Sequence, residues 1–205
     1  MKSTFAFEKL SLMTEPAGVV RSFRPLATED TARLAQFYLQ LDDDQRRLRF
    51  GGTLADGAVR KHCRQIDWTR SLVMAALNSS AVEAALEIHA IGDDWHRVEL
   101  AFACRVMDDE ILIIGHLLQL AAFAAGRLGS REFVTALDVT GCILLPFLHD
   151  MGEVSFQDDM AIVKLGDYAT LCAGPARPTM MNRSKASQSA CTPETFHPIT
   201  GDLIP

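Results

Sequence analysis

The chain has 205 residues, 48% of them hydrophobic and 22% charged, with a formal net charge of −6. That balance suits one α/β globular domain with extensions; it gives no basic footprint for nucleic acid, and the excess charge is too dispersed to specify a cationic partner. The five cysteines, Cys63, Cys104, Cys142, Cys172 and Cys191, are scattered, form no C-x-x-C pair and read as reduced thiols of a cytoplasmic protein.

In chain order, residues 1–18 lack a clear period and read as an N-terminal arm. They contain no apolar stretch long enough for a secretory signal. Val19 to Leu26 alternates and meets Pro25, which predicts a first strand. Thr28 reads as an N-cap, with Glu29 and Asp30 in the first turn. The helix continues from Thr31 to Leu41, with Leu34, Phe37, Tyr38 and Leu41 on one face. Asp42 to Phe50 predicts a second helix, with three acids at its positive end, arginines toward its negative end and Gly51-Gly52 as its stop. A third helix is expected over Leu54 to Ile66. Strands are expected over Ser71–Leu77 and Ala81–Ile91, joined at Asn78-Ser79-Ser80, and a further strand over Val98–Val106 after the Asp93-Asp94 turn.

Met107 to Gly115 reads as a loop and His116 to Gly129 as a core helix. The longest apolar run, Ile111 to Ala125, is shorter than the ~20 residues of a membrane span, so no membrane segment is expected. Arg131 to Val139 is a predicted strand. Leu144 to Met151 is a predicted helix that Pro146 should distort beyond its first turn. Val154–Phe156 and Met160–Leu165 form a hairpin around Asp158-Asp159. The segment 171–205 carries Pro, Ser and Thr with isolated apolar residues, holds five of the eight prolines and reads as a flexible tail beyond a folded domain at 19–170. No internal repeat is present.

This order of elements resembles the GNAT N-acetyltransferase superfamily over about residues 19–166. Val19–Leu26 followed by Thr28-Glu29-Asp30 is similar to its opening strand and helix. Arg49-Phe50-Gly51-Gly52 resembles the "RFF-G" stretch of one branch, and Ile66-Asp67-Trp68 resembles the "iDy" before the second strand. Val98–Val106 resembles the fourth strand, Leu117-Leu118 through Gly129 the helix after the phosphate loop, and Asp150-Met151-Gly152 the end of the last helix. The resemblance implies a mixed, mostly antiparallel sheet flanked by helices. It also implies acyl transfer from acetyl-CoA or another acyl-CoA to a small-molecule or protein amine, and it is compatible with a homodimer.

By the same resemblance, Glu99 is the candidate catalytic base, taking a proton from the attacking amine. Main-chain groups of Cys104, Arg105 and Val106, and of Ile114, Gly115, His116 and Leu117, would hold the cofactor. The family's Q/R-x-x-G-x-G/A loop closes its N–H groups on a pyrophosphate at a helix N-terminus. Here two registers are open: Glu110 to Gly115, or Asp109 to Ile114. Both put an acid first and Ile113 or Leu112 in place of the central glycine. Gly141 stands where the family often has Asn, and Glu153 where an aromatic usually follows the terminal glycine. The last helix offers Cys142 and Phe147 but no Tyr, the chain's tyrosines being Tyr38 and Tyr168. A non-catalytic relative that binds a protein or small ligand through the same cleft is the alternative.

The other candidates have plain structural readings. Glu99 could be a surface residue paired with Arg97 or Arg105. His116 could donate to an anion or simply pack, and Cys142 reads as a small buried residue. His62 and Cys63 diverge on a helix, and His89, His96 and His149 lack close-spaced partners, so no metal site is expected. Arg46-Arg47-Leu48-Arg49 reads as a solvated helix face. Asp42-Asp43-Asp44 and Asp108-Asp109-Glu110 read as helix-start and turn acids.

Overall fold

A computed structural model describes residues 12–14, 20–52, 54–105, 110–137 and 139–166, with 12–14 and 139–142 described by backbone alone. All belong to the first of two units, Met1–Gly174 and Pro175–Pro205. The arm beyond 12–14, the residues Val106 to Asp109 and the predicted tail lie outside the described residues.

The elements are β1 (Leu12–Thr14), β2 (Val20–Pro25), α1 (Thr31–Leu39), α2 (Asp43–Phe50), α3 (Asp56–Gln65), β3 (Ser71–Asn78), β4 (Ala81–Ile91), β5 (Arg97–Cys104), α4 (Glu110–Arg127), β6 (Glu132–Ala136), α5 (Val139–Met151), β7 (Gly152–Gln157) and β8 (Met160–Leu165). The strands form one sheet in the order β1-β2-β3-β4-β5-β6-β8-β7. Every neighbouring pair is antiparallel except β5 with β6. That parallel contact covers only Arg97↔Glu132, Val98↔Phe133 and Glu99↔Val134. Beyond Glu99 the two strands part, and β5 continues to Cys104 paired with β4 alone.

Strand β4 lies in the middle of the sheet, and helices cover both of its faces. Ala84, Leu86 and Ile88 point to one side, where they join Val98, Leu100 and Phe102 of β5 and the inner faces of α4 and α5. On the opposite side Val82 and Ala85, with Val73, Ala75 and Leu77 of β3, pack under Leu34, Phe37 and Tyr38 of α1 and Val59 and Cys63 of α3. Alternation along each strand thus feeds two apolar layers.

Several expected boundaries move. The chain enters α1 through a 3-10 turn over Thr28–Asp30. The turn is capped at Ala27, whose N–H the Asp30 carboxylate accepts, and Asp30 holds the N-cap position of α1, so Thr28 is not the cap. Asp42 caps α2 and exchanges hydrogen bonds with Gln45, and Gly51 ends that helix in the left-handed region at φ 69°. Helix α4 starts at Glu110, so the expected loop over Glu110–Gly115 is helical. Ile113, Ile114, Leu117, Leu118 and Ala121 form one buried face, and the exposed Ile111 and Leu112 hide that period in the sequence. Burial is one-sided: Gln119 is exposed and Phe123 only partly buried. Helix α5 runs through Pro146 without ending, although its ring removes the bond to the Cys142 carbonyl. By length and composition α4 could cross a membrane, but in this fold its apolar face is sheet-packed core.

Two glycines predict opposite responses. A Cβ on Gly152, at the start of β7, would lie 1.8 Å from the Lys164 carbonyl oxygen. Gly152→Ala should therefore force β7 from β8 and cost about 3 kcal/mol, lowering the thermal midpoint by roughly 6–12 °C. Gly57, in the first turn of α3, has nothing within 4 Å of such a Cβ. Gly57→Ala should stabilise by about 0.4–1 kcal/mol. Calorimetric melting of both variants checks the pair.

Candidate active site

Strand β4 carries two buried acids, Glu83 and Glu87, and Glu87 faces the α1–α3 layer. Such acids need partners, since an unpaired buried charge costs several kcal/mol. Glu83 accepts from Arg21 Nε at 2.6 Å and from Asn78 at 3.1 Å. Glu87 is fully buried and gathers four groups from four elements. Its Oε1 accepts from the Tyr38 hydroxyl of α1, lies 2.7 Å from Arg49 Nη2 of α2 and accepts from His62 Nε2 of α3 at 3.3 Å. Its Oε2 accepts from His89 Nε2 at 2.8 Å.

Arg49 enters because α2 turns two of its arginines inward. Arg46 lies largely buried, donating to the carbonyls of Leu39 and Leu41 and pairing with Asp56 at 2.9 Å. Arg49 follows one turn later, while Arg47 points outward at 61% side-chain exposure. The solvated face expected for this run therefore holds only for Arg47. The buried guanidinium is not fully hydrogen-bonded. Its Nε has no partner among the described residues, and its Nη2 approaches Glu87 off the N–H direction. It is compensated by charge and by the rings of Phe50 and Tyr38, whose centroids lie 4.9 and 5.4 Å away.

Burial alone would push the Glu87 carboxyl up. The Arg49 charge and the hydrogen bonds from His62 and His89 overcome that and hold it well below its ordinary value. Burial, with the Glu87 charge, drives Tyr38 far above its ordinary value, so its hydroxyl stays a donor. Burial likewise pushes the nearby Cys63 thiol up to about 12 and makes it inert. An ionised Glu87 can only accept, so Nε2 of both histidines carries hydrogen. Nδ1 of neutral His89 is then an acceptor, and the Ser71 hydroxyl lies 2.8 Å from it.

His62, Ser71 and His89 line an open cavity of about 370 Å³, together with Gln65, Asp67, Arg70 and Ala90. The two imidazoles, about 30% exposed, thus stand between a dry ion pair and the open cavity. In the sequence His62 diverges from Cys63 and His89 lacks a close-spaced partner; the fold brings both histidines together on Glu87. A readable signal existed. Glu87 and His89 share one face of a strand whose Ala84-Leu86-Ile88 face is apolar, as a doubly covered strand with a polar core would have it.

Glu99 is exposed on β5, register-paired to His89 on one side and to Val134 on the other. It stands where β5 and β6 part, on the same sheet face as Glu87 and His89. Neither arginine expected to neutralise it does so, because Arg97 pairs with Glu132 and Arg105 bonds Gln40. The expected cofactor grip is placed less favourably. The Arg105 N–H is spent on the Glu83 carbonyl, and the Cys104 carbonyl accepts from Gln45 at 3.2 Å. Val106 lies outside the described residues, as does the side chain of Cys142.

Because α4 begins at Glu110, the N–H groups of Ile114, Gly115, His116 and Leu117 are spent inside the helix. Among the described residues its free donors are those of Glu110, Ile111 and Leu112. Gly115 faces Phe147 of α5, where a Cβ would stand 3.2 Å from the ring, so its smallness serves helix packing. His116 lies against Phe23, with ring centroids 5.2 Å apart. No cluster of three or more His, Cys, Asp or Glu suited to a metal occurs among the described residues.

No protein-family model matches the chain, and no curated protein sequence matches it. Solved structures do. The GNAT domain of S. lividans PAT superposes with a TM-score of 0.58 at 20% identity, covering 76% of this chain and 95% of that one. Aminoglycoside 6′-acetyltransferase type Ii gives a TM-score of 0.55 at 9% identity, covering 71% and 97%. A cAMP-binding acyltransferase from Mycobacterium smegmatis gives 0.52 at 15% identity over 82% of this chain, which spans 50% of that protein. At these identities the likeness is one of fold, and the fold is that of the GNAT N-acetyltransferases.

The Glu87 cluster makes stability acid-sensitive. A carboxyl held low in the folded state contributes its full stabilisation above its unfolded value near 4.5 and loses it as pH falls through the folded one. Chemical denaturation of wild type should therefore show stability falling below about pH 4.5. Glu87→Gln should cost about 3–5 kcal/mol at pH 7 by leaving Arg49 uncompensated, and should flatten that acid limb.

Proposed function

We propose that this GNAT-fold chain is an N-acyltransferase that moves an acyl group from acyl-CoA to an amine and holds its cofactor weakly. The observation that carries the reading is the parting of β5 and β6 just beyond Glu99, with that exposed carboxylate unpaired among the described residues at the fork. The free edge of β5 from Leu100 onward would lie along the cofactor's arm. Acyl-CoA supplies the activated thioester. Glu99 takes the proton that an attacking amine must lose, directly or through water, and its exposure leaves room for the amine to reach it.

The diphosphate end fits poorly. The free N–H groups at the start of α4 favour an anion by only about 0.3–2 kcal/mol. The first of them belongs to Glu110, whose carboxyl is pushed up by burial and still opposes a second anion. Unit charges 4 Å apart repel by about 4 kcal/mol at an effective dielectric of 20. Leu112, half exposed, and Ile113, fully buried, stand in one register or the other where a glycine would let main chain close on phosphate. These residues favour a second reading, a non-catalytic GNAT-fold protein that binds a ligand or partner through the same cleft.

Calorimetric titration of the full chain with acetyl-CoA, followed by turnover assays on an amine panel, tests both. The account expects a dissociation constant of about 0.1 mM or weaker. Glu110→Gln with Leu112→Gly should tighten it at least ~10-fold by removing the repulsion and the side chain over the free N–H groups. Ile113 and Ile114 must be kept because both are fully buried. Glu99→Gln should lower kcat ~10²–10⁴-fold with affinity unchanged. Binding without turnover on any amine, or no binding even after the double replacement, would give the second reading.

A further inference from the structure

The chain Ser71–His89–Glu87 is independent of the acyl-CoA reading and has a geometry of its own. The Ser71 hydroxyl lies 2.8 Å from His89 Nδ1, and His89 Nε2 lies 2.8 Å from Glu87 Oε2. Both ring nitrogens of His89 are therefore engaged. The relay ends at Ser71 Oγ; Ser71 is 5% exposed and lines the 370 Å³ cavity. Behind the ring, Glu87 is fixed by Tyr38, Arg49 and His62 and is itself dry. A buried carboxylate that locks the tautomer of an imidazole and faces it toward a hydroxyl is the arrangement that makes a serine nucleophilic.

We propose that Ser71 is a nucleophile activated by His89 and Glu87, and that the cavity takes small carboxylic esters. Ser71 Oγ attacks the ester carbonyl carbon while its proton passes to His89 Nδ1, and Glu87 stabilises the imidazolium at Nε2. The negative charge that develops on the carbonyl oxygen faces a cavity lined by Arg70 and His62. The carbon–oxygen bond to the leaving alcohol breaks, and the alcohol takes the proton back from His89, leaving an acyl ester on Ser71. Water then attacks that ester, gives a proton through His89 to Ser71 and releases the acid. Atoms and protons balance with water as the sole co-reactant. The cavity volume suits a short acyl chain on a small alcohol.

The test uses the full-length protein and p-nitrophenyl acetate, without coenzyme A. Wild type should release p-nitrophenolate in a burst approaching one equivalent, and peptide mapping after acid quench should place the acetyl group on Ser71. Ser71→Ala, shown folded by its melting curve, should lose the burst and slow release at least ~10²-fold. His89→Gln should slow acylation ~10²–10⁴-fold. A fluorophosphonate should label the same serine. The wild-type mapping stands even if a variant unfolds. Acetylation confined to lysines or cysteines, no phosphonate adduct on Ser71, or a folded Ser71→Ala variant that matches wild type would overturn the proposal.

Discussion

The ion pair between Glu87 and Arg49 holds the α1–α3 layer to the sheet. Glu87 sits on the central strand with no exposed surface, and Arg49 reaches it from the last turn of α2. Tyr38 ties α1 to the same oxygen and His62 ties α3, so one carboxylate fixes three helices against β4. Apolar packing around it is extensive, with Phe37, Val59, Val73 and Ala85 among the buried neighbours. Packing alone sets volume, whereas four convergent polar partners set register and orientation. A buried pair of this kind adds little net stability against an apolar replacement, and its loss by halves is costly.

That anchoring also shapes the chemistry on offer. The same carboxylate that holds the helices holds two imidazoles at the wall of a cavity, and Glu99 stands one strand away beside His89. The polar side of the cleft is thus built on rigid elements. The opposite side, at the N-terminus of α4, carries an acid and two half-exposed aliphatic side chains. A GNAT scaffold can keep its framework for folding whatever becomes of its cofactor grip, so the asymmetry says more about function than the fold does.

Much of the architecture was legible in the sequence because the relevant pattern was local. β4 spans Ala81–Ile91 as its alternation predicts, and α2 begins on its acids and ends at Gly51. The hairpin closes at Asp158, whose φ of 51° suits an aspartate. The start of α4 was less legible, because Ile111 and Leu112 extend an apolar run across the solvent side of the helix and mask its period. The Glu87 cluster was missed for a different reason. His89 is two positions from Glu87, but His62, Arg49 and Tyr38 lie 25, 38 and 49 positions away, and each has an ordinary reading alone. Only the central position of β4, covered on both faces, makes an inward glutamate demand partners.

A double-mutant cycle on Glu87 and Arg49 tests this anchoring most directly. Glu87→Leu, Arg49→Met and the double variant are unfolded in denaturant at pH 7, and the coupling free energy is taken from the three differences. The account predicts that each single variant loses about 3–5 kcal/mol and that the double variant recovers at least ~2 kcal/mol relative to their sum. Additive losses, with no coupling beyond about 0.5 kcal/mol, would contradict it and leave the α1–α3 layer held by apolar packing alone.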